Sequence, residues 1–404
     1  MQYLWGIFGI ITILSLAFLL SKDKKSINYR TIGGALFIQI LFGFIVLKWE
    51  TGQKIFEAVT GVIQSIIDTS NEGINFIFGG LFEAEGMGFI FAFQVLTVII
   101  FFSSLVSVLF YIGVMQFITK IIGGFLSKIL QTSKSESISA AANIFVGLTE
   151  APLIIKPFLE KMTKSELFVV MTGGAASVSG SVLVGYSLLG VPLEYLLAAA
   201  FMAAPAGILM AKIIIPETEV SAEEEKISFV KDTETANVID AAAKGAMVGL
   251  NLALSIGAIL LAFISLIALI NLGLGWAGNL FGFEAITLEM ILGFVFAPLA
   301  FVIGIPWEEA VRAGSFIGQK FVLNEFVAYS SFSAEMDTFS DKTIAVISFA
   351  LCGFANLGAL AMFIGGIGEL APSRKGDLAK YGLLAIIGGT LANLLSAAIA
   401  GMLL

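Results

Sequence analysis

The sequence of 404 residues contains no histidine and only one cysteine, Cys352. Without histidine the chain cannot build a Ser-His-Asp or Cys-His catalytic group, and it offers no imidazole to zinc or haem. A single cysteine cannot form a disulfide within the chain. The Gly-Lys-Ser/Thr ending of the Walker A motif is also missing, so this type of ATP-driven motor is excluded.

Charge is scarce as well. Charged residues make up 13% of the chain and hydrophobic residues 58%, whereas soluble domains carry about 25% charged residues. So few charges cannot cover a soluble globule of this size, and the composition therefore indicates an integral membrane protein. The apolar runs are long and rarely alternate, which favours an all-α protein over barrel strands. The net charge of −8 provides no basic surface for nucleic acid.

Apolar runs long enough to cross a bilayer predict about eight transmembrane helices. We expect these spans at 3–20, 31–49, within 86–121, and at 167–186, 193–215, 245–272, 344–368 and 381–404. The first run lacks a charged n-region and a cleavage site, so it is interpreted as a retained span rather than a signal peptide. Residues 286–305 are also apolar but contain Pro298, and both a span and an interfacial helix remain open for them.

The segments between the spans suggest a topology. Basic residues at 22–30 and 374–380 mark two cytoplasmic loops by the positive-inside rule. Residues 50–85 show apolar positions at helical spacing among polar ones, which predicts an amphipathic helix at the interface. Residues 216–244 form an acidic hydrophilic loop, interpreted as a solvated linker between two halves.

Two apolar stretches each carry a lone carboxylate at a predicted helix break. One is NIFVGLTEAPLIIKP (143–157) with Glu150, and the other is FVLNEFVAY (321–329) with Glu325. A break in lipid leaves backbone groups unpaired, and a carboxylate there costs about 3 kcal/mol to insert. We therefore predict two re-entrant helical hairpins in an inverted repeat, with a binding site where their tips meet broken, glycine-rich spans.

The side chains of this candidate site are carboxylates, amides and hydroxyls without clustered arginine. They are Glu150, Glu325, Asn143, Asn324, Asn356, Thr149, Ser177, Ser179 and Ser181. Such a set suits a neutral substrate rich in donors, such as a sugar or nucleoside, and neutral oxygen ligands suit sodium. Each serine taken alone is better explained by helix packing. A symporter for another neutral solute and an intramembrane enzyme using the two glutamates as an acid–base pair remain alternatives.

In order and spacing, the segments GLTEAPLIIKPFL, GSVLVGY, VLNEFVAY and ALCGFAN resemble the concentrative nucleoside transporter family, from about Gly86 to the C-terminus. The resemblance implies a homotrimer in the plasma (inner) membrane, with eight spans, two re-entrant hairpins, and no enzymatic activity. It also implies a scaffold domain and an elevator-like transport domain that imports nucleosides with a sodium or proton gradient. The implied segments are 1–121 (N-terminal spans, interfacial helix and scaffold), 122–215 (first hairpin and transport-domain half), 216–244 (acidic loop), 245–305 (scaffold span and interfacial helix) and 306–404 (second hairpin and transport-domain half).

The resemblance also implies roles for individual residues. The nucleobase would contact Gly147, Leu148, Thr149, Glu150 and Val182. The ribose would contact Glu325 and Asn356, with Phe354 nearby. Sodium would bind Asn143, Ser177 and the carbonyls of Val146 and Val178, and no other cofactor is implied. Many members have glutamine, whose amide helps read the base, in place of Leu148, and some have serine, whose hydroxyl reaches the ribose, in place of Ala359. Gly147 with an apolar neighbour and Val182 resemble purine-selective members, so the resemblance favours purine nucleosides.

Overall fold

A computed structural model describes residues 2–82, 90–220, 235–280, 282 and 286–404. Within these ranges the regular structure is helical and contains no β-strand, which confirms the predicted all-α fold. Seven helices of the described residues are long and apolar enough to cross a membrane, or eight if one bent pair is a single span. These seven helices correspond to seven of the eight predicted spans; the span predicted at 344–368 is not among them, and the bent pair includes most of residues 286–305, for which a span and an interfacial helix were both open.

The N-terminal part begins with two apolar helices and a long amphipathic one. Its helices are α1 (Gln2–Leu19), α2 (Tyr29–Leu47), α3 (Glu50–Phe82), α4 (Phe91–Gln94), α5 (Leu96–Tyr111) and α6 (Val114–Leu130). Asn28 caps α2, because its side chain accepts hydrogen bonds from the backbone of Arg30 and Thr31. Helix α3 lies where the amphipathic helix was predicted, although residues 83–85 of that prediction fall outside the described ranges.

The region of the first predicted hairpin, called the first hairpin below, and the spans that follow it occupy the next part of the chain. They comprise α7 (Lys134–Ala142), α8 (Ala151–Ile154), α9 (Lys156–Leu159), α10 (Lys164–Ala176), α11 (Gly180–Leu188) and α12 (Leu193–Ile214). The second arm of the hairpin is two short helices, whereas one half-helix was expected. Pro152 and Pro157 each lie in the first turn of a new helix, since proline cannot continue the preceding one. The span predicted at 167–186 is also divided, between Ala176 and Gly180.

The remaining helices follow the acidic loop, whose residues 221–234 lie outside the described ranges. They are α13 (Val238–Leu280), α14 (Leu288–Val302), α15 (Trp307–Val322), α16 (Glu325–Glu335), α17 (Asp341–Leu351), α18 (Ala359–Met362), α19 (Gly368–Leu370) and α20 (Lys375–Leu403). Helix α13 is longer than the span predicted at 245–272. Helices α14 and α15 form the bent pair, at 116°. The span predicted at 344–368 is broken between α17 and α18, as expected.

The helices differ sharply in burial, and the difference locates the site. In the apolar windows of Lys164–Leu188 and Leu193–Ile214, 94% and 89% of residues are buried. The corresponding share for Val238–Leu280 is only 17%. Glycines allow the buried helices close approach: a Cβ at Gly389 of α20 would lie 2.7 Å from the Ala175 Cβ of α10. The divided helices therefore lie in the protein interior, where their free backbone groups can find partners.

Candidate functional site

The divided helices and the hairpin tips meet through backbone hydrogen bonds. The amide of Gly180, after the break in α10–α11, donates to the carbonyl of Phe145 in the first hairpin tip at 2.9 Å. The amide of Phe354, in the break of α17–α18, donates to the carbonyl of Ser177 at 3.0 Å. The amide of Leu357 donates to Phe321 at 3.1 Å, near the tip of the α15–α16 hairpin. Backbone groups at each break thus pair with backbone groups at another break or at a hairpin tip. We call this connected group of breaks and tips the centre.

Glu325 and Asn356 form a buried polar pair in this centre. They are 5% and 4% exposed, and the Asn356 Nδ2 donates to the Glu325 Oε2 at 2.9 Å. The Asn356 Oδ1 accepts from the amide of Ala359 at 3.1 Å, which fixes the direction of its side chain. Glu325 is the first residue of α16, where the helix dipole favours a negative charge. Asn324 caps the same helix by accepting from the amide of Val327 at 2.8 Å.

The first hairpin tip presents Glu150 and Thr149, both partly exposed. The amide of Gly147 donates to the Glu150 Oε2 and so holds this carboxylate. A Cβ at position 147 would lie 2.6 Å from that oxygen, so the contact requires glycine. Thr149 packs against Gly366, where an added Cβ would lie 2.6 Å from the Thr149 Cγ2. The tip of the first hairpin therefore contacts the second half of the broken α17–α18 span.

The apolar members of the predicted set lie beside these polar groups. Leu148 is 2% exposed, and it packs against Gly174 of α10, where an added Cβ would lie 3.0 Å from the Leu148 Cβ. Val182 is 1% exposed in the first turn of α11. Phe354 is partly exposed in the break of α17–α18. Leu148 and Val182 thus form an apolar boundary at the first hairpin tip, whereas Phe354 is the more accessible apolar residue.

The predicted ion ligands lie in the first hairpin region and in the break between α10 and α11. Asn143 is 2% exposed, and its Oδ1 has no hydrogen-bond partner among the described residues. Its Nδ2 lies 3.5 Å from the position of a Cβ at Gly173, whose carbonyl accepts from the Ser177 hydroxyl at 3.0 Å. Val146 and Val178 flank the Phe145–Gly180 hydrogen bond. A buried amide oxygen without a hydrogen-bond partner among the described residues is the kind of ligand that suits a hard cation such as sodium.

Two further residues of this centre, Lys320 and Asn393, were not identified from the sequence. Lys320 is 1% exposed at the end of α15, and its Nζ donates to the Asn393 Oδ1 at 2.6 Å. Asn393 is 2% exposed in α20. A lysine close to an apolar hairpin tip was the available signal for Lys320, because such a charge is rarely placed in a membrane without a role. No local pattern distinguishes Asn393 from the other polar residues of its helix.

The chain is similar over its length to proteins of known family. Family models described as Na+ dependent nucleoside transporter C-terminus and N-terminus match residues 195–401 and 8–81, and one described as nucleoside recognition matches 92–192. The chain is 56% identical to the uncharacterized transporter YutK of Bacillus subtilis over the full length of both. It is 47% identical to the nucleoside permease NupC of Helicobacter pylori, covering 99% of this chain and 97% of that one. The structure of CNTnw in an inward-facing substrate-bound state is 51% identical, with a TM-score of 0.96 over 100% of this chain and 98% of that one.

Proposed function

The chain belongs to the Na+-dependent, concentrative nucleoside transporter family, and from that premise we propose that it imports nucleosides by ion-coupled symport, with purine nucleosides favoured. It is a multi-pass plasma-membrane protein. Its relatives are transporters and permeases, so the enzyme alternative, with Glu150 and Glu325 as an acid–base pair, is wrong.

The observation that carries the proposal is the Glu325–Asn356 pair at the centre of the breaks. Only one oxygen of the Glu325 carboxylate is held by Asn356, and a carboxylate offers about four acceptor sites. The two neighbouring hydroxyls of a ribose can donate hydrogen bonds to the remaining acceptor sites of the Glu325 carboxylate. Hydrogen bonds to a charged acceptor in a buried site are among the strong ones. We assign Glu325 and Asn356 to the ribose, with Phe354 beside it.

The nucleobase is assigned to the first hairpin tip. Gly147, Thr149 and Glu150 offer a backbone group, a hydroxyl and a carboxylate, while Leu148 and Val182 add apolar surface. A larger purine ring system gains more from apolar contact than a pyrimidine, because the stabilisation grows with buried area. The absence of a side-chain amide at position 148 removes a group that could read pyrimidine edges. These features support the purine preference.

Sodium is proposed as the co-transported ion, with a proton as the alternative. Asn143, Ser177 and the carbonyls of Val146 and Val178 form the proposed ligand set. The Asn143 Oδ1 supports sodium, since a buried oxygen without a donor would be costly unless a cation met it. The Ser177 carbonyl accepts a hydrogen bond from the Phe354 amide, so one proposed ion ligand and one proposed nucleoside contact share a backbone hydrogen bond.

Alternating access by an elevator movement in a homotrimer is proposed on the family relationship and on the contrast in burial. Segments 122–215 and 306–404 would form the transport domain, whose helices carry every proposed ligand. Helix α13 presents a mostly uncovered apolar surface, as expected for a scaffold helix that meets lipid or another protomer. The hairpin tips would enter from opposite sides of the membrane, as inverted repeats do.

Uptake into proteoliposomes tests the proposal. Radiolabelled adenosine and uridine are supplied with and without an inward sodium gradient at constant pH. We expect sodium-dependent accumulation of unchanged nucleoside, with adenosine favoured over uridine. If nucleoside accumulates only under a proton gradient, the coupled ion is the proton and not sodium. No nucleoside accumulation under either gradient would refute the proposal and favour a symporter for another neutral solute.

A further inference from the structure

A buried network around Lys320 and Asn393 joins three parts of the fold that carry the proposed ligands. The Lys320 Nζ donates to the carbonyl of Ala350 at 2.8 Å and to the Asn393 Oδ1 at 2.6 Å. The Asn393 Nδ2 donates to the carbonyls of Ala176 at 2.6 Å and Cys352 at 2.9 Å. The network therefore connects the second hairpin to both divided spans through α20.

The accepting carbonyls lie at equivalent places in the two divided spans. Ala176 is the last residue of α10, and Cys352 immediately follows the last residue of α17. Carbonyls at a helix C-terminus have no partner within the helix and must be satisfied from elsewhere. Asn393 supplies one N–H to each of them, while the Lys320 Nζ donates to the carbonyl of Ala350 in the last turn of α17. One amide thus caps both breaks at once.

The network also sets how closely the two breaks approach. A Cβ at Gly353 would lie 2.3 Å from the Asn393 Oδ1 and 2.8 Å from the carbonyl of Ala176, so glycine is required between them. The next residue, Phe354, donates its amide to the carbonyl of Ser177. The break with the proposed sodium ligands and the break with the proposed ribose ligands are therefore fixed to each other by Asn393 and by this single backbone bond.

We propose that Lys320 and Asn393 are positioning residues that couple the sodium ligands to the nucleoside ligands. Neither is assigned to the ion or to the substrate. A change in the backbone at Ser177 and Val178 is transmitted to Phe354 and Asn356 because Asn393 holds both breaks. The inference rests on the proposed function, since it concerns the linkage between two ligands that the proposed function assigns.

A merely structural role makes a different prediction from a coupling role. If the network only stabilised the fold, its loss would lower the melting temperature and leave the effect of sodium on nucleoside affinity unchanged. If it couples the two sites, its loss changes the ratio of nucleoside affinities with and without sodium. Coupling between sites is measured by this ratio and is reciprocal between the two ligands.

Asn393→Asp is the most informative substitution. It keeps the size of the side chain and an oxygen for Lys320, and it removes the two N–H groups that reach Ala176 and Cys352. Lys320→Gln is the second variant, because it keeps a donor for Ala350 and removes the charge. Ser396→Ala is the matched control: Ser396 is also buried in α20, and its hydroxyl donates at 3.1 Å only to Ala392 of the same helix.

The measurement is adenosine binding to the purified full-length protein, by calorimetry, in saturating sodium and in choline at the same ionic strength. For the unmodified protein and Ser396→Ala we expect the Kd ratio to lie in the range of about 5- to 150-fold that is typical of coupled sites. For Asn393→Asp and Lys320→Gln we expect the ratio of the two Kd values to fall below about twofold, with adenosine still binding in the sodium buffer. Sodium titrations at fixed adenosine should show the same loss.

The outcomes separate this inference from the function on which it rests. A sodium effect in the unmodified protein that persists undiminished in either folded variant would overturn the coupling role and leave the proposed function standing. No sodium effect in the unmodified protein would overturn the sodium assignment and the coupling role together. If Asn393→Asp does not fold, Lys320→Gln decides by the same ratio.

Discussion

Replacing Glu325 with glutamine changes the charge of the proposed ribose site with little change in its shape. The Glu325 side chain is 5% exposed and accepts from the Asn356 amide at 2.9 Å. Glutamine keeps one oxygen that can accept this hydrogen bond, so the buried amide of Asn356 retains its partner. The substitution therefore removes the negative charge and replaces the second acceptor oxygen with an NH2 donor. A ribose hydroxyl cannot donate a hydrogen bond to this NH2 group.

The size of the effect follows from the acceptor that is lost. A hydrogen bond to a charged group contributes about 1.5–3 kcal/mol. Since about 1.4 kcal/mol corresponds to a factor of ten, the KM for adenosine should rise by about 10- to 150-fold. The stability of the protein should change little, because the Asn356 contact and the helix cap from Asn324 remain.

Initial rates of adenosine uptake into proteoliposomes, measured over a range of concentrations, provide the test. Glu335→Gln is the matched control, because this glutamate lies at the other end of α16 and pairs with Arg312 at 2.7 Å on an exposed surface. We expect its KM to be unchanged, since exposed ion pairs contribute little. A Glu325→Gln protein with a KM within about twofold of the unmodified one would refute the ribose assignment.

Three further substitutions test other parts of the centre. Asn143→Ala should raise the sodium concentration for half-maximal uptake by about tenfold or more, because one ligand oxygen is lost; an unchanged sodium curve would argue for a proton. Leu148→Gln should raise the uridine-to-adenosine uptake ratio by about two- to tenfold, since it adds an amide at the proposed base site; an unchanged ratio would remove this position from specificity. Gly366→Ala should lower uptake by about tenfold by displacing Thr149, whereas Gly365→Ala, with nothing within 4 Å, should not. Equal uptake by the two alanine variants would contradict a role for the Thr149 contact.

The apolar runs made most of the fold predictable from the sequence. They placed seven of the eight predicted spans and the amphipathic helix, because burial in lipid constrains composition over long segments. The break between α17 and α18 was indicated instead by the glycines of that segment. The lone carboxylates predicted two hairpins, since a charge is costly there, and both carboxylates lie at the start of a helix that follows a break. The two short helices after Glu150 were also foreseeable in principle, because Pro152 and Pro157 lie only five residues apart and each favours the first turn of a helix.

Broken, glycine-rich spans were predicted at the site, but the position of the break within the span at 164–188 could not be predicted. Its sequence from Ala176 to Gly180 contains no proline, and small residues also occur within unbroken membrane helices. The break exists where other elements provide partners: Asn393 for the carbonyl of Ala176, and Phe145 for the amide of Gly180. These partners are remote in sequence, so local propensity carries no information about them.

The residues around the site matter as much as its ligands, because they satisfy the backbone groups that the helix breaks leave free. A transporter site made from helix breaks uses backbone groups that a continuous helix would have paired internally. Each break is stable only while its freed amides and carbonyls are satisfied, and here two breaks share Asn393 and one Phe354–Ser177 hydrogen bond. Any ligand that reorients one break must act on bonds shared with the other. Coupling between an ion and a solute can therefore arise from how the breaks are capped, without direct contact between the two ligands.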